Sequence, residues 1–355
     1  TMLDRGTPRD VLVFGGGYDP VNDTRAERNG GSGLAADGAG VTTAADGMGR
    51  ALFIVDATDG SLITKIAAPA FPDMEFSIPS DLNLVDIDRD GLADMIWVGD
   101  MGGQLWRFDI GDATTLALAD SISGGVVGDF GSVGLRGNRR FFYPPDVALV
   151  KDDEGKVFMN VGIGSGWRSH PLDAEVEDRF YMLRMRDYLS APKNEDGDIE
   201  YTRLVESSLY DVTDSTVRDD TSGRSTDGWY LTFPRSGEKV LGRAVTVNSQ
   251  VLFTSYVPDA GASDDCSVSV GGGRFYALDA IYGGAVQNLE EGTEATDALE
   301  PEDRSRPLEA AGLPPPVSVF ISGDALDEVQ TPVGLEQPAE IDPGELLKRT
   351  YWAEQ

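Results

Sequence analysis

The sequence predicts an all-β protein, and within that class a β-propeller carrying long loop insertions. Three observations predict it. The 355 residues include 43 glycines but few long apolar segments of helical period, a balance that favours many short strands and turns. A local pattern recurs along the chain: a short β-branched or apolar strand, a glycine cluster, then a second strand carrying aromatics and commonly ending in Asp. Several such β-meanders imply radial repetition, with a sandwich or a parallel β-helix as the rival arrangement.

The elements follow in order. First strands of the pattern are Val11–Phe14, Met95–Val98 and Phe158–Ile163. The glycine clusters are Gly15 to Gly17, Gly102 and Gly103, Gly162 with Gly164 and Gly166, and Gly271 to Gly273. Second strands are Ala51–Asp56, Gln104–Asp109, Arg179–Leu183 and Arg274–Asp279. An Asp-Ala-x-x-Gly turn follows two of them, at Asp56–Gly60 and Asp279–Gly283.

Insertions blur the period. Residues 19–50 are rich in Gly, Ala and Asp and read as a long loop; residues 187–228 are polar and read as a second one. The blades are expected over 1–289. Residues 290–355 hold 16 acidic and 4 basic side chains and 8 of the 19 prolines, and are expected to form an acidic tail packing on the propeller. Pro314, Pro315 and Pro316 break regular structure there. Val317–Ile321 can add one strand, and Tyr351 with Trp352 can act as an aromatic anchor.

Composition narrows the function. Lys and Arg number 29 against 61 Asp and Glu, a net charge of −32. Such a surface repels phosphate backbones and argues against nucleic acid; it suits a metal cation, a saline medium or a basic partner. Cys266 is the one cysteine and His170 the one histidine, which excludes an internal disulfide, a Cys-cluster zinc site and a multi-His centre. A hydrophobic content of 40% supports a folded core. No apolar run approaches the roughly 20 residues that span a bilayer. The chain begins at Thr1 with no signal peptide before the first strand, and is expected to be a trimmed piece of something longer.

The sharpest chemical signal is the stretch Asp86–Asp94, which carries Asp86, Asp88, Asp90, Gly91, Leu92 and Asp94. Oxygen ligands recur at every second residue around a glycine that tolerates the bend, the pattern of a loop that wraps one hard cation. The start matches an EF-hand loop, but the twelfth position is Trp97 where an EF-hand needs a bidentate Glu. Asp94 closes the loop instead, with the Leu92 carbonyl as the backbone ligand. Leu82–Val85 and Met95–Val98 flank it as strands, so the expectation is a calcium loop inside a β-hairpin. An acidic β-turn is the alternative; against it, four crowded carboxylates repel one another without a cation. Ca²⁺ is preferred over Mg²⁺ because a flexible all-oxygen loop suits the larger ion, and transition metals are disfavoured without His or Cys.

Other stretches carry less. Asn194, Asp196, Asp198 and Glu200 also alternate oxygen groups around Gly197, but a hairpin or loop turn explains them more simply. Asp152, Asp153 and Glu154 before Gly155 read as an ordinary turn. Gly162–Gly166 lacks the Lys of a P-loop and the spacing of a dinucleotide fingerprint, so a bend is expected. Ser165 and His170 lack a nucleophile-elbow motif, and no catalytic residue is assigned. The five tryptophans read as packing residues.

Taken in order, these segments resemble the C-terminal β-propeller of the PilY family, the type IV pilus biogenesis and tip-associated adhesins. The resemblance runs through Arg9–Tyr18, Ala51–Gly60, Asp81–Ile110, Pro144–Ala148, Gly162–Leu172, Gly228–Leu231, Leu252–Cys266 and Phe275–Asp279. It implies an irregular, seven-bladed, quinoprotein-like propeller and places the family's calcium loop on Asp86, Asp88, Asp90, Leu92 and Asp94. It further implies a non-enzymatic role in which calcium occupancy favours pilus extension and its release permits retraction. Implied partners are minor pilins and other pilus-tip components, with host or surface ligands engaged through an N-terminal region outside these residues. The implied location is the surface or pilus tip of a Gram-negative bacterium. Two features depart from the pattern: Cys266 is alone where relatives often carry more, and the integrin-recognition tripeptide Arg-Gly-Asp is absent. Two other functional classes remain: a generic extracellular ligand-binding propeller, and a quinoprotein dehydrogenase using calcium beside pyrroloquinoline quinone. The latter disperses its calcium ligands around a central cofactor, and many of its members have an adjacent Cys pair that this chain lacks.

Overall fold

The computed structural model describes residues 1–20, 22–23, 48–132, 134–152, 154–215, 227–258, 270–289, 299–321, 329–331 and 339–341. A short hairpin, β1 (Met2–Asp4) and β2 (Thr7–Arg9), precedes four blade-like sheets, antiparallel except for one parallel pair in the third. The first sheet is β3 (Val11–Gly16), β4 (Gly49–Asp56) and β5 (Leu62–Ile66). The second is β6 (Asn83–Val85), β7 (Met95–Gly99), β8 (Gln104–Ile110) and β9 (Ile122–Asp129), with the one-turn helix α1 (Leu118–Ser121) between the last two. The third joins β10 (Asp146–Lys151), β11 (Val157–Gly164), β12 (Arg179–Met185), β13 (Tyr210–Asp211) and β14 (Gly228–Thr232). The fourth joins β15 (Lys239–Val240), β16 (Val245–Val247), β17 (Gln250–Val257), β18 (Gly272–Asp279) and β19 (Ser305–Ala311). Phe320–Ile321, Val329–Thr331 and Ala339–Ile341 form a separate three-stranded sheet.

The strands form where the sequence alternates two apolar faces, because the side-chain period of a strand is two and each blade is packed on both sides. On β7, Ile96 and Val98 face the first sheet while Met95 and Trp97 face the third. On β12, Tyr181 and Leu183 face the second sheet while Phe180 and Met182 face the fourth. Each such buried side chain contributes about 1.5–3 kcal/mol. Rings stack across these seams, with Phe180 and Phe253 4.2 Å apart between centroids and Phe130 and Tyr181 4.0 Å apart. The outer face of the fourth sheet is covered by Leu289 and Val317 around Phe275 and Ala277. The opposite end differs: Leu12 and Phe14 on the first sheet are 57% and 47% exposed.

Of the glycine clusters, Gly102 and Gly103 form a turn between strands, while Gly15, Gly16, Gly162, Gly164, Gly272 and Gly273 lie at strand ends or within strands. Asp100 caps the turn from β7 to β8: its Oδ1 accepts the Gly102 and Gln104 N–H groups at 2.8 and 3.0 Å, and its Oδ2 accepts the Trp106 indole N–H at 2.9 Å. The Asp-Ala-x-x-Gly turns close through Gly60 N–H to the Asp56 carbonyl at 2.9 Å and Gly283 N–H to the Asp279 carbonyl at 2.8 Å.

The architecture is an irregular all-β propeller whose sheets do not close into a ring among the described residues. Four blade-like sheets stand among the described residues, and the family resemblance implied seven. The loop expected over 19–50 ends earlier, since β4 already begins at Gly49. The insertion expected over 187–228 is not purely loop: β13 lies within it and pairs parallel with β14, and Leu204, Leu209 and Val212 are buried in the seams. The stretch from 290 is not only a tail, because β19 pairs antiparallel with β18 and is the outer strand of the fourth sheet. Within the strand expected at Val317–Ile321, Phe320–Ile321 is extended and paired. Cys266, Tyr351 and Trp352 lie outside the described residues.

Candidate metal centre

The loop from Asp86 to Asp94 joins β6 to β7, whose register pairs Val85 with Met95 and Asn83 with Trp97. The strands fix both ends. Asp94 N–H donates to the Val85 carbonyl at 2.8 Å, and Ile110 N–H donates to the Asp94 carbonyl at 2.8 Å, tying the loop exit to β8. Between these ends the chain curls around its own carboxylates. Asp86 accepts the Arg89 N–H on Oδ1 at 2.6 Å and the Gly91 N–H on Oδ2 at 2.9 Å. Asp88 accepts the Asp90 N–H at 3.1 Å, Asp90 accepts the Leu92 N–H at 2.8 Å, and Asp94 accepts the Ile87 N–H at 2.6 Å. Gly91 has φ +90°, which L side chains resist, and a Cβ there would meet no atom within 4 Å. Its glycine is therefore a matter of backbone angle rather than space.

This folding gathers three of the four aspartates. Asp86, Asp88 and Asp94 each place a carboxylate oxygen within 4.8 Å of the others. Asp90 is not in that group; its side chain lines an adjoining cavity, as do Leu92 and Asp94. At such separations each like-charge pair costs roughly 1–3 kcal/mol between bulk water and a protein surface. Burial raises the Asp94 carboxyl above the usual range, and the Asp88 and Asp86 charges add to the rise against a hydrogen bond from the Ile87 N–H. The gathered donor set is all carboxylate oxygen, and so fits a hard divalent cation better than a transition metal.

The other sequence candidates fold as structure. At Asn194, the side-chain oxygen accepts the Asp196 and Asp198 N–H groups at 3.1 and 2.9 Å, and the amide nitrogen donates to Glu200 at 3.0 Å. That is a self-satisfied turn. Asp152 accepts the Lys156 N–H at 2.7 Å in another turn. Ser165 donates to Asp178 at 2.7 Å and accepts the Arg179 N–H at 2.9 Å, so its hydroxyl is taken up in holding a strand end. His170 packs on Trp167 at 4.4 Å between ring centroids. Trp97, Trp106, Trp167 and Trp229 are core residues.

Sequence reasoning missed the cavity beside the loop. It measures about 500 Å³ and takes Asp109, Asp112 and Asp120 from β8, the following turn and α1. No spacing signal could have assembled residues from separate elements.

Comparison with known proteins places this geometry. A family model described as the PilY1 beta-propeller domain matches residues 17–127, which include the loop. The chain is 27% identical over 258 residues to a type IV pilus biogenesis factor PilY1 homolog of Xylella fastidiosa, covering 67% of this chain and 17% of that protein. A second PilY1 homolog of that organism is 24% identical over 204 residues, covering 55% of this chain and 15% of the relative. The chain thus spans about a sixth of the length of these relatives. The crystal structure of the Pseudomonas aeruginosa PilY1 C-terminal domain superposes with a TM-score of 0.58 at 18% identity, covering 84% of this chain and 67% of that one. Fold and acidic hairpin loop together define an irregular β-propeller with a candidate metal loop, similar to the type IV pilus biogenesis factors above. The match to the PilY1 beta-propeller domain covers residues 17–127, and the fold of the chain is similar to that of the PilY1 C-terminal domain.

Proposed function

We propose that the Asp86–Asp94 loop binds Ca²⁺ and that the domain serves a type IV pilus biogenesis factor as a non-enzymatic switch, its calcium-loaded state favouring pilus extension over retraction. The observation that carries this is the convergence of Asp86, Asp88 and Asp94 within 4.8 Å between two paired strands. Bound calcium would supply positive charge to a cluster that otherwise repels itself. Asp86, Asp88 and Asp94 would provide carboxylate oxygens, with Asp90 and the Leu92 carbonyl as the remaining expected ligands.

The chain's own residues make the loop responsive. Asp86 and Asp94 already hold the curl through backbone N–H groups, so the fold pre-shapes the loop. Their mutual repulsion opposes that shape, so loss of the cation should loosen it. Strand β7 continues into the packed seam between the second and third sheets through Met95 and Trp97, a route by which loop order reaches the blade. Minor pilins and pilus-tip proteins at the cell surface are the partners this reading expects. Isothermal titration calorimetry tests its basis: wild-type protein should bind Ca²⁺ and the Asp94→Ala variant should not. Unchanged affinity in that variant would remove the basis.

A further inference from the structure

The cavity next to the loop is a built groove rather than a gap between loose segments. Arg107, a buried residue of β8, forks onto Asp109 at 2.9 and 2.6 Å. The same guanidinium donates to the Asp187 carbonyl at 2.6 Å and the Ser190 carbonyl at 2.9 Å, clamping the segment after β12 against the second sheet. Tyr201 donates to Asp109 at 2.7 Å and bonds Ser123 at 3.0 Å, fixing the return of that segment. The clamp sets one wall of the groove; Asp90, Leu92, Ala93 and Asp94 of the acidic loop, with Met95 of β7, form the other. Ile110 and Ile122 line its floor.

Two features of this groove call for an occupant. Its clamped wall presents Leu189 and Ile199 at 72% and 50% exposure, although the backbone around them is held in place. Its charged lining is of one sign: Asp90, Asp94, Asp112 and Asp120 line it, and no Lys, Arg or His does. Asp109 also lines it, but Arg107 neutralises that carboxylate. Asp90 and Asp112 each accept one neighbouring backbone N–H at 2.8 Å, and among the described residues neither is paired with a cation.

We propose that this groove docks a segment of a partner protein in which lysine or arginine alternates with apolar residues. Aliphatic stems and apolar side chains lie on Leu189, Ile199 and the isoleucine floor, and the cationic heads meet Asp90, Asp112 and Asp120. The proposal does not require an ion in the loop, because Asp112 and Asp120 lie outside the three gathered carboxylates.

The test is fluorescence anisotropy in chelator at low salt, with the 355-residue chain and a fluorescein-labelled peptide of alternating lysine and leucine. Asp120→Lys and, separately, Leu189→Ser should each weaken binding roughly three- to tenfold. Glu154→Lys makes the same charge change on a remote turn and should weaken binding less than about twofold. Equal weakening by Glu154→Lys would overturn the proposal, since attraction would then be to overall charge. So would equally tight binding of a lysine–serine peptide, or no binding by about 1 mM peptide. Asp120 and Leu189 are both exposed, so neither substitution should compromise folding, and each reads the groove independently of the other.

Discussion

The loops at Asp86–Asp94 and Asn194–Glu200 both set oxygen-bearing residues at alternate positions around a glycine, and the two glycines adopt nearly the same backbone angle, φ +90° and +88°. They nonetheless end differently. In the second loop one neutral side chain organises the turn: Asn194 accepts two backbone N–H groups and donates to Glu200. In the first, a carboxylate occupies the organising position, and two more carboxylates are drawn in behind it. An amide can both donate and accept, so it can close a turn alone; an ionised carboxylate only accepts and leaves charge over. The alternation of oxygens therefore marks a turn, and the charge of the first residue decides whether the turn is complete or in want of a cation.

This comparison can be broken or sharpened by measurement. The largest effect is expected on calcium affinity: Asp86→Ala should abolish the calorimetric signal, whereas Asn194→Ala should leave it unchanged. Calcium heat lost with Asn194→Ala would mean that the second loop also holds an ion.

Stability measurements in chelator carry a background from elsewhere, and it has a defined sign. Burial raises the Asp146 carboxyl to about 6, against hydrogen bonds from Thr246, and its Oδ2 is buried without a hydrogen-bond partner. The folded state then holds the proton more tightly than the unfolded chain. The ionised group opposes folding above that value, and stability rises as pH falls through it toward the ordinary carboxylate range. Asp146→Asn should therefore stabilise the protein at neutral pH, by up to roughly 3 kcal/mol. Urea denaturation across pH should lose the corresponding slope in that variant.

Smaller effects separate the two turns themselves. Asn194→Ala should destabilise the protein by about 1–2 kcal/mol in urea denaturation, because two backbone N–H groups lose their acceptor. Asp88→Asn in chelator should instead stabilise it by about 1 kcal/mol, since the amide oxygen keeps the bond to Asp90 N–H while one repulsive charge goes. A loss of stability there would show that the carboxylates do not oppose the loop's shape. The smallest effect links loop and groove: saturating calcium should weaken the lysine–leucine peptide about two- to threefold, by neutralising the wall that both share. Unchanged peptide affinity would mean that they act independently.

Much of this was readable before any coordinates, for reasons that the particular residues make plain. Phe180 to Leu183 read as a strand because alternate residues serve two different seams, leaving no polar face to confuse the period. The acidic loop was readable because all its oxygens lie within nine consecutive residues. The departure of Asp90 from the gathered group was not, since spacing gives position along the chain but not the direction of a side chain. Strand β19 escaped notice because Pro307 and Glu309 lie within it, residues that a sheet tolerates at its edge. Strand β13 is two residues long and pairs parallel, so it carries no local pattern. The groove joins residues from 3 to 199, and only the tertiary fold brings them together.

The serial stacking of the sheets has a consequence for how the domain breathes. The second and third sheets are sandwiched on both sides, and the fourth is roofed by Leu289 and Val317, whereas Leu12 and Phe14 leave the first with one packed side among the described residues. Amide hydrogen exchange should accordingly grade along the stack, fastest in β3 and slowest in β7 and β12, so that opening begins at one end and runs inward.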